Sequence, residues 1–230
     1  MTDTPASRRA QVFGAIRGHL GAGGASHPRQ TAVADRLAGQ PRHLVPERAK
    51  QDPDRLKALF AAQLRTGFAT VIEAASAADV PLAIATYLRG ANLPLHVRCG
   101  DDTWLADLDW SSAPAMTLVK GRAQGTDEVG LTHAVAGIAE TGTLMLASGP
   151  ENPVTNNFLP ETSIIVLEAA DLVGPYEDAF ERVRAKLGRG AMPRTLNLIS
   201  GPSRTADVGG RLVTGAHGPR RLCVVIVAKG

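Results

Sequence analysis

The sequence predicts an α/β domain built on a buried, largely parallel sheet and preceded by an N-terminal helical arm. Three observations predict it. Short, largely apolar runs, such as 163–167 and 222–227, recur along the chain, and such runs suit strands covered on both faces. Segments of helical periodicity alternate with them, as in α/β proteins. The 230 residues are 44% hydrophobic and 20% charged, enough apolar material for one sizeable core.

Taken in order, residues 7–20 read as a helix. Val12, Phe13, Ile16 and Leu20 share one face, Arg8, Arg9 and Arg17 decorate the rest, and the Gly-rich stretch 21–24 ends it. Between 21 and 52, glycines with Pro28, Pro41 and Pro46 interrupt the periodicity, and an extended arm is expected. The division is therefore 1–52 for helix and arm, and 53–230 for the α/β domain. Residues 53–65 place Leu56, Leu59, Phe60 and Leu64 on one helical face. A strand is expected at 68–72, a helix at 77–88, and strands at 94–98, 116–119, 144–147 and 163–167. Residues 176–187 form a helix with Phe180, Val183 and Leu187 inward, and strands follow at 196–199 and 222–227. No internal repeat is visible.

Composition narrows the function classes. Aromatic residues make up 4% of the chain, too few for stacking platforms along a nucleic acid strand. Residues 1–65 carry eleven Lys+Arg against five Asp+Glu, and the remainder fourteen against seventeen. The basic excess is thus N-terminal, and without a continuous basic run it reads as a solvated helical surface. Cys99 and Cys223 are the two cysteines, too few to hold a zinc ribbon or an iron–sulfur cluster. Their lack of a disulfide pattern, together with the absence of an apolar leader or an 18-residue apolar segment, points to the cytoplasm. No GxGxxG follows a strand and no GxxxxGK[ST] occurs, so neither fingerprint for nucleotides is present.

Three clusters carry the candidate chemistry. In 197–207 an apolar run ends at Gly201-Pro202, and Ser203, Arg204, Thr205 and Asp207 follow at once. Hydroxyls beside a rigid guanidinium fork suit a carboxylate or phosphate; the same order also spells a helix N-terminus capped by Ser203. In 137–143, small and apolar residues lead to Glu140, and Thr141 and Thr143 flank Gly142. This is a ligand loop or a hairpin turn. A carboxylate among small apolar neighbours needs a partner, and Arg204 is the candidate, either within one ligand site or as a structural ion pair. In 215–219, His217 stands before Gly218 in a Gly-rich turn, positioned as acid, base or anion ligand, or as a surface histidine. Glu140, Asp207 and His217 are thus the candidate acid/base groups. Thr141, Gly142, Thr143, Gly201, Pro202, Ser203, Arg204, Thr205 and Gly218 are the candidate ligand-holding residues. His133, Glu140, Asp207 and His217 lack metal-ligand spacing, and no metal is expected. Asn152, Asn156 and Asn157 occupy a Pro-bounded loop that reads as a lid or as turn material, and Trp104 and Trp110 as local packing.

Read in order, 138–143, 199–207 and 215–219 resemble the motifs of the LUD domain family, in its lactate utilisation protein C branch, across 129–227. The resemblance implies a three-layer fold similar to the NagB/RpiA/CoA-transferase group and a role in oxidising L-lactate to pyruvate. It implies companion subunits that carry iron–sulfur clusters, with this chain as the cluster-free component that binds no cofactor of its own. A small carboxylate or phosphate-bearing ligand is expected, with no nucleic acid and no membrane span. The resemblance leaves open whether the chain holds substrate, serves as a non-catalytic assembly subunit, or acts as an acyl- or CoA-transferase with Glu140 as carboxylate nucleophile.

Overall fold

The computed structural model describes residues 5–21, 26–39, 42–188, 190–208 and 211–228, excepting the side chains of 5, 206–208, 211 and 212. Two compact units divide the chain after His43. In the first, α1 (Pro5–Leu20) is the expected helix, while α2 (His27–Gly39) stands where an extended arm was expected. Pro28 lies in the first turn of α2, where no N–H is needed and the fixed φ suits a helix. Its position makes it a helix start, not a breaker. Val12, Ile16 and Leu20 of α1 and Val33 and Leu37 of α2 are exposed.

The second unit begins at Leu44, earlier than the compositional change at 53. Ala49 is buried in the turn Glu47–Ala49, with its carbonyl where a side chain on Gly174 would otherwise lie. Then α3 (Pro53–Thr66) starts at Asp52, whose carboxylate accepts the Arg55 N–H.

Six strands pair in parallel throughout the main sheet. Their order is β1 (Thr70–Ala74), β12 (Arg221–Val227), β7 (Thr162–Glu168), β4 (Val129–His133), β2 (His96–Cys99) and β3 (Thr117–Lys120). The period of two divides β12 between two faces. Cys223, Val225 and Val227 pack with Ile84 and Leu88 of α4 (Val80–Gly90), and Leu222, Val224 and Ile226 pack with Phe60 and Leu64 of α3. The α/β class with a mostly parallel sheet is therefore as the sequence indicates.

A second sheet was not legible in the sequence. It orders β8 (Leu172–Val173), β5 (Ala136–Ile138), β6 (Thr143–Ala147) and β9 (Leu196–Ile199), with β6 antiparallel to both neighbours. One face gives Leu144 and Leu146 to the cluster beneath the main sheet. The other sets Ile138 and Met145 against Ala179 and Val183 of α7 (Tyr176–Leu187). The small residues at 134–139 serve this contact between sheets, since a Cβ on Gly137 would collide with Leu167. Leu187, expected inward, is exposed at the end of α7.

Short elements complete the unit: α5 (Thr103–Ala106), α6 (Val154–Phe158), and a separate antiparallel hairpin of β10 (Arg204–Val208) and β11 (Arg211–Thr214). The hairpin removes the reading of Ser203 as a helix cap, because β-branched Thr205 pairs with Val213 and extends the chain. No helix among the described residues is long and apolar enough to cross a membrane.

Candidate functional site

The turn from β9 to β10 and the turn at 215–219 lie side by side, tied by Ser203. Its N–H donates to the Pro219 carbonyl at 2.8 Å, and its carbonyl accepts the Gly215 N–H at 2.8 Å. Its Oγ accepts the His217 N–H at 3.1 Å. Together with α6 these turns wall a cavity of about 280 Å³. Gly201, Pro202, Ser203 and Arg204 line it from one turn, and His217 and Gly218 from the other, so two of the three sequence clusters converge. Phe158, Leu198 and Leu222 add an apolar wall. Ser163 and Leu222 are register partners near the starts of β7 and β12, which sets the cavity at the amino ends of the central strands.

Three polar atoms in that wall have no partner: Asn157 Nδ2, Asn157 Oδ1 and Ser163 Oγ. Asn157 is fully buried and Ser163 is 1% exposed. An unpaired buried group costs about 1–3 kcal/mol, so three at one cavity wall single it out as the candidate binding site. The asparagine loop is not a lid. Asn152, Asn156 and Asn157 are all buried, and Asn156 accepts the Ala123 N–H at 2.7 Å and donates to the Gly121 carbonyl at 3.1 Å.

Arg204 is exposed, and its guanidinium lies 3.4 Å from the centroid of the Phe68 ring. Phe68 has φ 67°, a left-handed conformation that costs a bulky residue about 1–2 kcal/mol, and its ring is largely exposed. Nothing in the sequence pattern singled out Phe68, because backbone strain leaves no compositional trace. The expected pair of Arg204 with Glu140 is not formed. Glu140 lies in the turn between β5 and β6, and its Oε2 is buried without a hydrogen-bond partner. Burial raises its carboxyl pKa; nearby Arg48 opposes the shift and Glu177 adds to it.

The threonine cluster sits behind the cavity. Thr141 and Thr143 share a hydrogen bond of 2.7 Å, and each lies 3.1 Å from the Tyr176 hydroxyl. Thr143 also meets Ser200 Oγ, in the cavity wall, at 2.7 Å. Gly142, with φ 65°, turns β5 into β6 tightly against α3, where a Cβ would stand 2.6 Å from Gln63 Cβ. This is the hairpin reading of the motif. Thr205 and Asp207 belong to β10 beyond the cavity, and the side chain of Asp207 lies outside the described residues.

The described residues contain no cluster suited to a metal ion. His133 lies instead at the end of β4, with Nδ1 3.5 Å from Asp102 Oδ2 and its ring stacked on Trp104. Burial pushes the Asp102 carboxyl up, but His133, the Leu105 N–H and Lys186 together hold it below its ordinary value. Trp110 donates to the Leu105 carbonyl at 2.9 Å, as local packing requires.

The model of the LUD domain matches residues 69–227. The chain belongs to the LUD domain family. Relatives of this LUD-domain chain include an uncharacterized protein of Neisseria meningitidis, 40% identical over 100 residues, 44% of this chain and 42% of that protein. The lactate utilization protein C of Shouchella clausii is 35% identical over 100 residues, 44% of each chain. That of Geobacillus thermodenitrificans is 30% identical over 131 residues, 55% of this chain and 54% of that protein. The chain thus spans about half the length of the curated relatives it matches. A crystal structure of a DUF162 family protein from Deinococcus radiodurans shares the fold. Its TM-score is 0.55 at 22% identity, over 77% of this chain and 99% of that one.

Proposed function

We propose that this chain is the cluster-free subunit of a cytoplasmic L-lactate utilisation system and holds the small carboxylate in the cavity between Asn157 and Arg204. The observation that carries the reading is the set of unpaired, buried groups in the cavity wall. Asn157 Nδ2, Ser163 Oγ and the Arg204 guanidinium supply donors for a carboxylate, and Asn157 Oδ1 accepts the 2-hydroxyl of lactate. Oxidation of lactate to pyruvate releases two electrons and two protons. In this reading the electrons pass to iron–sulfur clusters in partner subunits, while this chain orients the acid. The names of the lactate utilization relatives support that context.

Calorimetric titration with L-lactate and pyruvate tests the reading. Binding is expected for L-lactate, weaker binding for pyruvate, which leaves Asn157 Oδ1 without a donor, and a loss of about tenfold or more in Arg204→Ala. Absence of binding by both acids overturns it.

A second reading, as an assembly subunit, is favoured by the exposed apolar side chains of α1 and α2. Removal of residues 1–43 would then abolish co-purification with partner subunits and leave lactate affinity intact. For the transferase reading the geometry offers no support, since Glu140 does not line the cavity and burial favours its neutral form.

A further inference from the structure

A second crevice, of about 810 Å³, opens elsewhere in the α/β unit. It lies past the carboxyl ends of β2 and β3, between Asp101 and Arg122 on the main sheet's side and Arg194 at the entry to β9. In open α/β sheets, the ends where strands of the parallel sheet give way to diverging loops are where ligands gather. The lactate cavity proposed above stands at the amino ends of β7 and β12, on the other side of α6, which gives Val154 and Thr155 to the crevice and Asn157 and Phe158 to the cavity.

The walls are held in place by cross-ties. The Asp101 N–H donates to the Pro150 carbonyl at 3.0 Å, and the Ser148 N–H to the Thr195 carbonyl at 2.9 Å. The Thr195 N–H returns a bond to Ser148 Oγ at 2.9 Å. Buried Asn156 clamps the 121–123 turn from beneath. Such loops are pre-formed, which lowers the ordering cost of binding.

The lining chemistry is lopsided. Arg122 and Arg194 are both exposed, and neither has a hydrogen-bond or ion-pair partner among the described residues. Ser148, Thr155 and Thr195 add hydroxyls, and Asp101 is the acidic group in the wall. Two guanidinium forks with three hydroxyls offer more donors than the two oxygens of a carboxylate accept, and they match the oxygens of a phosphate. The volume lies within the range for ligands larger than lactate, of nucleotide size.

We propose that this crevice binds a phosphate-bearing small molecule through Arg122 and Arg194, independently of the cavity at Asn157. Asp101 is then placed to accept a hydrogen bond from a hydroxyl on the remainder of that molecule. The test is calorimetric titration of the full chain with inorganic phosphate, pyrophosphate and ADP. Pyrophosphate and ADP are expected to bind, and Arg122→Ala and Arg194→Ala each to weaken them about tenfold or more. Arg204→Ala should leave this binding unchanged. Tighter binding of ADP than of pyrophosphate assigns a nucleotide, whereas equal affinity assigns the phosphate group alone as the recognised part; either supports the site. Both arginines are exposed, so the variants keep the fold, checked by circular dichroism, and Arg→Lys at either position should restore part of the affinity. No heat with any of the three probes overturns the proposal. So does affinity that survives both substitutions or falls with Arg204→Ala instead. Binding of L-lactate is a separate readout, and its outcome does not bear on this one.

Discussion

The Arg204 guanidinium rests 3.4 Å from the centroid of the exposed Phe68 ring. The left-handed backbone of Phe68, φ 67°, belongs to the turn that ends α3: its N–H donates to the Arg65 carbonyl at 3.0 Å and the Ala69 N–H to the Leu64 carbonyl at 2.9 Å. The helix end thus sets the ring beneath the guanidinium. Glycine adopts this φ without a penalty. Phe68→Gly is therefore expected to keep or raise the Tm while weakening lactate binding several-fold, through the loss of the stacked support. Thermal melts and calorimetry on one preparation check both halves. A fall in Tm with unchanged affinity contradicts the relationship.

Asn157→Leu replaces an unpaired buried amide with an apolar side chain of the same branched shape. Stability in the absence of ligand should rise by about 1–3 kcal/mol, and added L-lactate should no longer shift the melting curve. Destabilisation would mean that the amide has partners in the protein itself.

Gly142→Ala is expected to cost at least about 2 kcal/mol, from the left-handed backbone and the collision with Gln63. Urea unfolding measures it. A variant as stable as the parent but unable to bind lactate would return Gly142 to a ligand-holding role.

Glu140 makes stability depend on pH. Its carboxyl pKa is raised in the folded state, burial being the first cause, so the folded chain holds more protons than the unfolded one between the two pKa values. Stability then falls as pH rises through that window and stays lower above it. Glu140→Gln removes the ionisation. Its Tm should exceed the parent's at neutral pH, with the gap closing toward about pH 4. A constant gap from acid to neutral would point to a pairing with Arg48 strong enough to cancel the burial cost.

Tyr176→Phe deletes the hydroxyl that meets Thr141 and Thr143 and leaves the two threonines bonded to each other. A loss of about 1 kcal/mol is expected, with L-lactate affinity retained because the tyrosine stands outside the cavity wall. Calorimetry showing lost affinity would give Tyr176 a positioning role through Ser200.

Much of the fold could be read from period and apolarity. Residues 164–167 and 222–227 are apolar on both faces and lie in the central parallel strands β7 and β12. The same property hid the second sheet, because an apolar run such as 144–147 records that it is covered and not which neighbour covers it. The small residues of 137–143 fit a ligand loop or a hairpin turn alike, and the structure gives Gly137 to the contact with Leu167 and Gly142 to the hairpin. The turns at 201–204 and 217–218 were legible because polar groups crowd there without a packing purpose. Asn157 and Ser163, which complete the cavity, look like ordinary loop and strand residues until their lack of partners is seen. Arg122 and Arg194 lie far apart in sequence and meet one crevice only through the folded loops.

β12 sits between β1 and β7, yet it follows every other strand of its sheet in the chain. As a nascent polypeptide leaves the ribosome, β1 and β7 must wait with open edges until this late segment arrives to seal them. Ribosome stalling or early termination before residue 221 would strand both edges, leaving a product prone to self-association and proteolysis.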